Sequence, residues 1–132
     1  MKKDSQVLVE LNKCIENFIK AYPKNNVDNY LDLFLKDEDL VMFGTGEKWV
    51  GGEDYKSAPQ ADKDKFDEIA ITFDWKKINY HGPIAWLAAE VTVNITIGGQ
   101  KASLPARLTG VLKKVGNEWL ITQGHISSAA TE

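Results

Sequence analysis

From Glu68 onward the chain changes rhythm, and that change limits its fold more than any other feature. Ile69, Ile71, Phe73 and Trp75 alternate with Ala70, Thr72, Asp74 and Lys76, the period-two pattern of a strand with one buried face. The next run, Ile84 to Ile97, sets Leu87, Ala89, Val91, Val93, Ile95 and Ile97 on one face. Trp86, Ala88, Glu90, Thr92, Asn94 and Thr96 fall on the other. Tyr80-His81-Gly82-Pro83, Gly98-Gly99 and Val115-Gly116-Asn117-Glu118 read as turns. Lys101–Lys114 and Trp119–Ser127 supply two further strands. The second half of the chain is therefore expected to be a four-stranded antiparallel meander.

The first part obeys a different period. Val7, Leu8, Leu11, Ile15, Phe18, Ile19 and Tyr22 recur at spacings of three and four, which makes one apolar face of a helix with Asp4 or Ser5 as cap and Pro23 as stop. Val27, Tyr30, Leu31, Phe34 and Leu35 predict a second helix, opening at Asn25, Asn26 or Asp28. A short strand is expected at Leu40–Phe43, then a loop carrying Glu47, then a short helix from Gly51. Pro59 is read as interrupting that helix, and residues 60–68 as a charged surface connection or frayed helix. Helices followed by a meander make an α+β domain, with the sheet curling over the helices and a cavity between them. The whole chain, 1–132, is read as that single domain.

Composition excludes several function classes. A net charge of -3, with lysines scattered among acids, leaves no electrostatic footprint for nucleic acid. The lysines at positions 2 and 3 precede no apolar stretch of signal-peptide or membrane-spanning type, so a cytoplasmic, membrane-free protein is expected. Cys14 is the only cysteine and sits beside the apolar stripe of the first helix, where a packed, inert thiol is expected. The two histidines share no short ligand spacing with acids, so no metal site is expected. Gly44-x-Gly46 and Gly51-Gly52 are too short for a phosphate loop, and no cofactor is implied.

The polar residues of the later strands carry the functional argument. A two-residue turn at Gly98-Gly99 pairs residues whose numbers sum to 197, setting Glu90 opposite Arg107 and Ala88 opposite Thr109. Directly opposed side chains share a face at about 5 Å. Pro105 is a candidate for a break in that register. A three-residue loop at Val115-Gly116-Asn117 would place His125 opposite Arg107 and Gln123 opposite Thr109. A loop one residue shorter or longer turns His125 to the other face.

Three readings of this row stay open. It lines a pocket in which Arg107 anchors a carboxylate or phosphate, Gln123 orients it and Glu90 or His125 acts as general base. Alternatively it is a buried structural pair, or it lies on the convex face in a dimer interface. Trp49, Tyr55 and Trp86, with Trp119 and Tyr80, are the aromatics available to line a cavity for a ring-shaped ligand.

Four blocks also resemble a known family. Phe43-Gly44-Thr45-Gly46-Glu47-Lys48-Trp49-Val50-Gly51, Ile84-Ala85-Trp86-Leu87-Ala88-Ala89-Glu90, Arg107-Leu108-Thr109-Gly110-Val111-Leu112 and Trp119–Ser127 are similar to SnoaL-like domains of the nuclear transport factor 2-like superfamily. The subgroup closest in look also resembles the association domain of calcium/calmodulin-dependent protein kinase. The resemblance implies a cone-shaped α+β barrel, a pocket between the curved sheet and the first helix, and a homodimer packed through the sheets. It implies either a small-molecule-binding domain or a cofactor-free isomerase, cyclase or dehydratase. For the cyclase pattern Glu90 and His125 are the candidates. For the acid-binding pattern of the kinase domain, Arg107 is the one arginine. Tyr55, Asp54 and Glu90 offer the residue types of steroid isomerases but match no motif of that group.

Overall fold

The computed structural model describes residues 5–22 and 27–129. Asp4, Pro23, Asn25 and Asn26, expected to bound the first two helices, lie outside the described residues. Four helices and six strands follow in the order α1 (Ser5–Ala21), α2 (Val27–Leu31), β1 (Val41–Gly44), β2 (Glu47–Val50), α3 (Gly52–Tyr55), α4 (Ala58–Lys65), β3 (Glu68–His81), β4 (Ile84–Ile97), β5 (Gln100–Val115) and β6 (Glu118–Ser128). The strands form one curved, open sheet in the order β2-β1-β6-β5-β4-β3.

α1 is amphipathic as its spacing predicts. Leu11, Ile15 and Phe18 are buried against the sheet, and Cys14 is buried beside them. Burial pushes the Cys14 thiol up to about 11, and its hydrogen bond goes to the Trp119 carbonyl at 3.6 Å. The inert packed thiol is what the structure contains. Trp119 is buried too, and its indole N–H donates to Glu10 at 3.2 Å, which ties α1 to β6.

The sheet's inner face carries Ile69, Ile71, Leu87, Ala89, Val91, Ala106, Leu112 and Ile121, all buried. The β4–β5 register follows the sum of 197 from Ile84↔Lys113 to Ile97↔Gln100, and Glu90 is opposite Arg107. Pro105 does not disturb it. Its carbonyl accepts from the Ala129 N–H at 3.0 Å, so its nitrogen also faces the β6 side and no bond to β4 is lost.

Five sequence expectations are corrected. The four-stranded meander is β3–β6, but the sheet has six strands, because β1 pairs parallel with β6 and the expected loop at Glu47 is strand β2, paired with β1. α2 stops at Leu31 instead of reaching Leu35. Phe34 bridges to Ile121, and the Leu35 N–H donates to the Ile121 carbonyl at 2.9 Å; the free edge of β6 draws this segment into extended form. Pro59 opens a helix rather than interrupting one, since the first turn of a helix needs no proline N–H.

The other two corrections are bulges. The β3–β4 register shifts between Phe73 and Trp75. Asp74 is the extra residue, and its carboxylate accepts from the Thr92 hydroxyl at 2.6 Å. Trp75, expected inside with Phe73, therefore faces outward and is 51% exposed. The β5–β6 turn has two residues, not three, since Val115 pairs with Glu118. That alone would turn His125 inward. A second shift between Val111 and Leu112, with Thr122 as the extra residue, restores the phase, so His125 lies opposite Thr109 and Gln123 opposite Val111. His125 and Arg107 do share a face, through a different partner and by two compensating changes.

Candidate functional site

Between the helices and the inner face lies a cavity of about 140 Å3. Its position follows from local sequence. α1 brings Phe18 and, just past its end, Tyr22. α2 brings Tyr30 and the segment after it Phe34. β2 brings Glu47 and Trp49, α3 Tyr55 and α4 Asp62. α3 can sit close enough because position 52 is glycine: a Cβ there would stand 2.5 Å from the Lys36 carbonyl oxygen.

The floor is open for a similar reason. Gly110 and Gly124 face each other across β5 and β6, both at inner-face positions. A Cβ on Gly124 would meet the Met42 side chain at 2.8 Å, whereas one on Gly110 would have the Gln123 carbonyl oxygen, at 3.4 Å, as its only close neighbour. The space above Gly110 belongs to the cavity.

The polar groups inside form two clusters. The Tyr22 hydroxyl donates to Asp62 Oδ2 at 3.2 Å. The Tyr30 and Tyr55 hydroxyls are 2.6 Å apart, and both residues are buried. Burial raises all three phenols well above their ordinary range, and the Asp62 charge adds to this for each of them. They stay protonated at neutral pH and act as hydrogen-bond donors. Asp62, half-buried, is also raised: burial is the main cause and the nearby Glu47 charge the next, opposed by the bond from Tyr22. A mutual hydrogen bond uses one phenolic proton of the Tyr30–Tyr55 pair. Among the described residues neither hydroxyl makes another bond, so one proton remains for an acceptor in the cavity.

The walls are otherwise apolar, part aromatic and part aliphatic. Tyr30 packs on Phe34 with ring centroids 4.9 Å apart, and Trp49 meets Tyr55 edge-on at 6.4 Å. The charged side chains among the lining residues are Glu47 and Asp62, with His125 at the rim; no lysine or arginine among the described residues lines the cavity.

The residues predicted from sequence divide between two places. Trp49 and Tyr55 line the cavity, and His125 stands at its edge against Phe43, centroids 5.7 Å apart. Glu90, Arg107, Gln123 and Trp86 are exposed on the outer face. Glu90 and Arg107 are opposite in register but form no ion pair with each other within 4.0 Å. These residues share the face away from the cavity, but only the Glu90–Arg107 pairing is as counted. Trp119 is a core residue, and half-buried Tyr80 packs against the core.

Sequence reasoning missed Tyr22, Tyr30 and Asp62 as site residues. Asp62 carried a readable signal: it follows Ala58 by four, one helical turn on, and Ala58 is buried. No group of three or more His, Cys, Asp or Glu side chains among the described residues is arranged to hold a metal. No described helix is long and apolar enough to cross a membrane.

The SnoaL-like domain profile matches residues 11–131. No curated protein matches the chain. Among solved structures, a nuclear transport factor 2-like superfamily protein from Salmonella enterica serovar Typhimurium superposes with a TM-score of 0.87 at 17% identity, over 96% of this chain and 94% of its own. A dehydratase candidate of the same superfamily from Streptomyces avermitilis reaches 0.87 at 11% identity, over 97% and 100%. A candidate calcium/calmodulin-dependent protein kinase II association domain from Xanthomonas campestris reaches 0.75 at 19% identity, over 99% and 91%. At these identities the likeness is one of fold.

Proposed function

Because this chain belongs to the SnoaL-like domain family, we propose that it binds a small organic molecule in the inner cavity and moves a proton on it without a cofactor, as an isomerase or dehydratase does. The observation that carries this reading is the Tyr22–Asp62 hydrogen bond inside an aromatic-walled cavity. A carboxyl raised by burial and a like charge spends more of its time near the protonation balance that general acid–base work requires. Asp62 takes a proton from a carbon beside a carbonyl. The C–H electron pair forms a carbon–carbon double bond, the carbonyl π pair moves onto its oxygen, and the free O–H of the Tyr30–Tyr55 pair donates to that oxygen as its charge grows. Asp62 then returns the proton to another atom of the same molecule. Fold likeness to the Streptomyces avermitilis dehydratase candidate is in keeping with this, but the residues rather than the fold support it.

The volume limits the ligand. An engineered apolar cavity of about 150 Å3 holds benzene, so 140 Å3 suits a single ring or its equivalent and not a steroid. Gly110→Val tests the site. Valine is favoured in strands, its Cβ has room, and its methyl groups enter the cavity. In a thermal-shift screen of one-ring oxygen compounds, hits on the natural protein should disappear in Gly110→Val while the variant's own melting temperature holds. Hits that bind both proteins equally would remove the cavity from consideration.

We also propose a homodimer through the outer face. Trp75 (51% exposed), Trp86 (45%) and Phe43 (41%) gather there around a groove shared with Gln123 and His125, more aromatic surface than a lone subunit leaves bare without a use. Buried interface tryptophans are worth about 2 kcal/mol or more, so Trp86→Glu should raise the dimer dissociation constant by at least about thirtyfold, read by analytical ultracentrifugation. A natural protein that is monomeric at all concentrations would end this part of the proposal.

A further inference from the structure

We infer that the inner cavity selects a small organic cation, an amine or quaternary ammonium compound that also carries an oxygen. The inference rests on the cavity reading above and names the ligand class. Three observations meet here. The fixed charges among the described lining residues are both negative, Glu47 on β2 and Asp62 on α4; the opposing Lys65 charge, from outside the lining, is the smallest of the influences on Asp62. The Glu47 charge acts on Asp62 and helps to raise its carboxyl. The remaining wall mixes aliphatic side chains with aromatic ones, including Phe18, Tyr22, Trp49 and Phe73, and aromatic faces attract cations and repel anions through their quadrupole.

The third observation concerns the oxygen. Tyr30 and Tyr55, both 6% exposed, use one of their two protons on each other. The other is left for a ligand acceptor. A cation between Glu47 and Asp62 relieves their mutual repulsion, whereas a carboxylate or phosphate would add to it at short range in a poorly screened site. The ligand's charge is thus opposite to that of the acidic ligand which Arg107 suggested. Arg107 is exposed on the outer face and cannot compensate within the cavity.

Isothermal titration with a matched set of probes isolates the charge. Choline, the neutral alcohol in which carbon replaces its nitrogen, and pivalate have similar bulk. Choline should bind at least about tenfold more tightly than the neutral alcohol, a ratio in the range of a desolvated cation–aromatic contact. Pivalate should not bind measurably. Glu47→Gln and Asp62→Asn, both close in shape to the natural residues, should each shrink the choline advantage and leave the neutral alcohol unchanged. Gly110→Val should abolish binding of both.

Equal affinity for choline and the alcohol would overturn the cation inference and leave the cavity reading standing. Choline binding that survives Gly110→Val would place the cation elsewhere and overturn the inference. Failure of all three probes, together with an empty screen of one-ring compounds, would overturn both readings.

Discussion

Asp62→Asn should slow proton transfer in the cavity by about a hundred- to ten-thousand-fold. The reporter need not be the natural substrate: exchange of a carbonyl compound's α-hydrogens for deuterium, followed by proton NMR, reads the first step on any molecule that the screen finds. Asparagine keeps the shape and can still accept the Tyr22 hydrogen bond made at 3.2 Å, so the geometry survives while the proton acceptor is lost. Unchanged exchange in the variant would show that Asp62 is not the base. His125, at the rim, would then be the next residue to replace.

The same substitution has an opposite effect on stability, and its sign follows from the shift. The Asp62 carboxyl is held above its ordinary value of 3.8 by burial and by Glu47, so the folded chain binds that proton more tightly than the unfolded chain. The resulting penalty is present above the raised folded value and fades as pH falls through it toward 3.8. At neutral pH Asp62→Asn should therefore be slightly stabilising, by no more than about 1 kcal/mol because the half-buried carboxyl is partly screened by solvent. The gain should vanish in acid. A residue that lowers stability where it sits and is retained in a cavity is what a functional carboxyl looks like energetically.

Phe34→Ala should give the largest loss of stability of the changes considered, about 3–5 kcal/mol. Phe34 is 2% exposed. Its ring touches Tyr30 and Tyr55 at centroid distances of 4.9 Å each and Phe18 at 6.5 Å. The backbone on either side is also committed, since Leu33 and Leu35 bond to Ile121 at 2.9 Å. The structure cannot collapse onto the missing ring without breaking that bridge. Against a total stability of about 5–15 kcal/mol for a domain of ordinary size, this is a substantial fraction, and urea denaturation will read it. The variant should also enlarge the cavity and accept bulkier ligands. A loss below about 1 kcal/mol would mean that Phe34 does not hold the tyrosine pair in place.

Much of the scaffold was readable before any coordinates. The apolar stripe of α1 is local, repeated over several turns, and independent of what it packs against. The β4–β5 register was readable because a two-residue glycine turn fixes it, and the count holds past Pro105 to the far end of both strands. The β5–β6 register was not, because the outcome depended on two things at once. Turn length and the bulge at Thr122 each flip the face, and periodicity alone cannot show both.

The candidate site divides along the same line. Glu90, Arg107, His125 and Gln123 stand out in sequence as polar residues within strands, and they do share a face, but counting along strands cannot say which face turns inward. Trp75 shows why: a single extra residue, Asp74, sends it outward against its own alternation. Tyr22, Tyr30, Tyr55 and Asp62 come from four separate segments, and no spacing rule links them. Periodicity determined by itself that this chain makes an amphipathic helix, a long hairpin and an α+β domain, because each of these depends on neighbours within a turn or a strand. Only the tertiary structure decided where the cavity opens, that its charges are acidic and that Arg107 stands outside it, because those properties depend on bulges, on the parallel pairing of β1 with β6, and on glycines whose missing side chains leave the space.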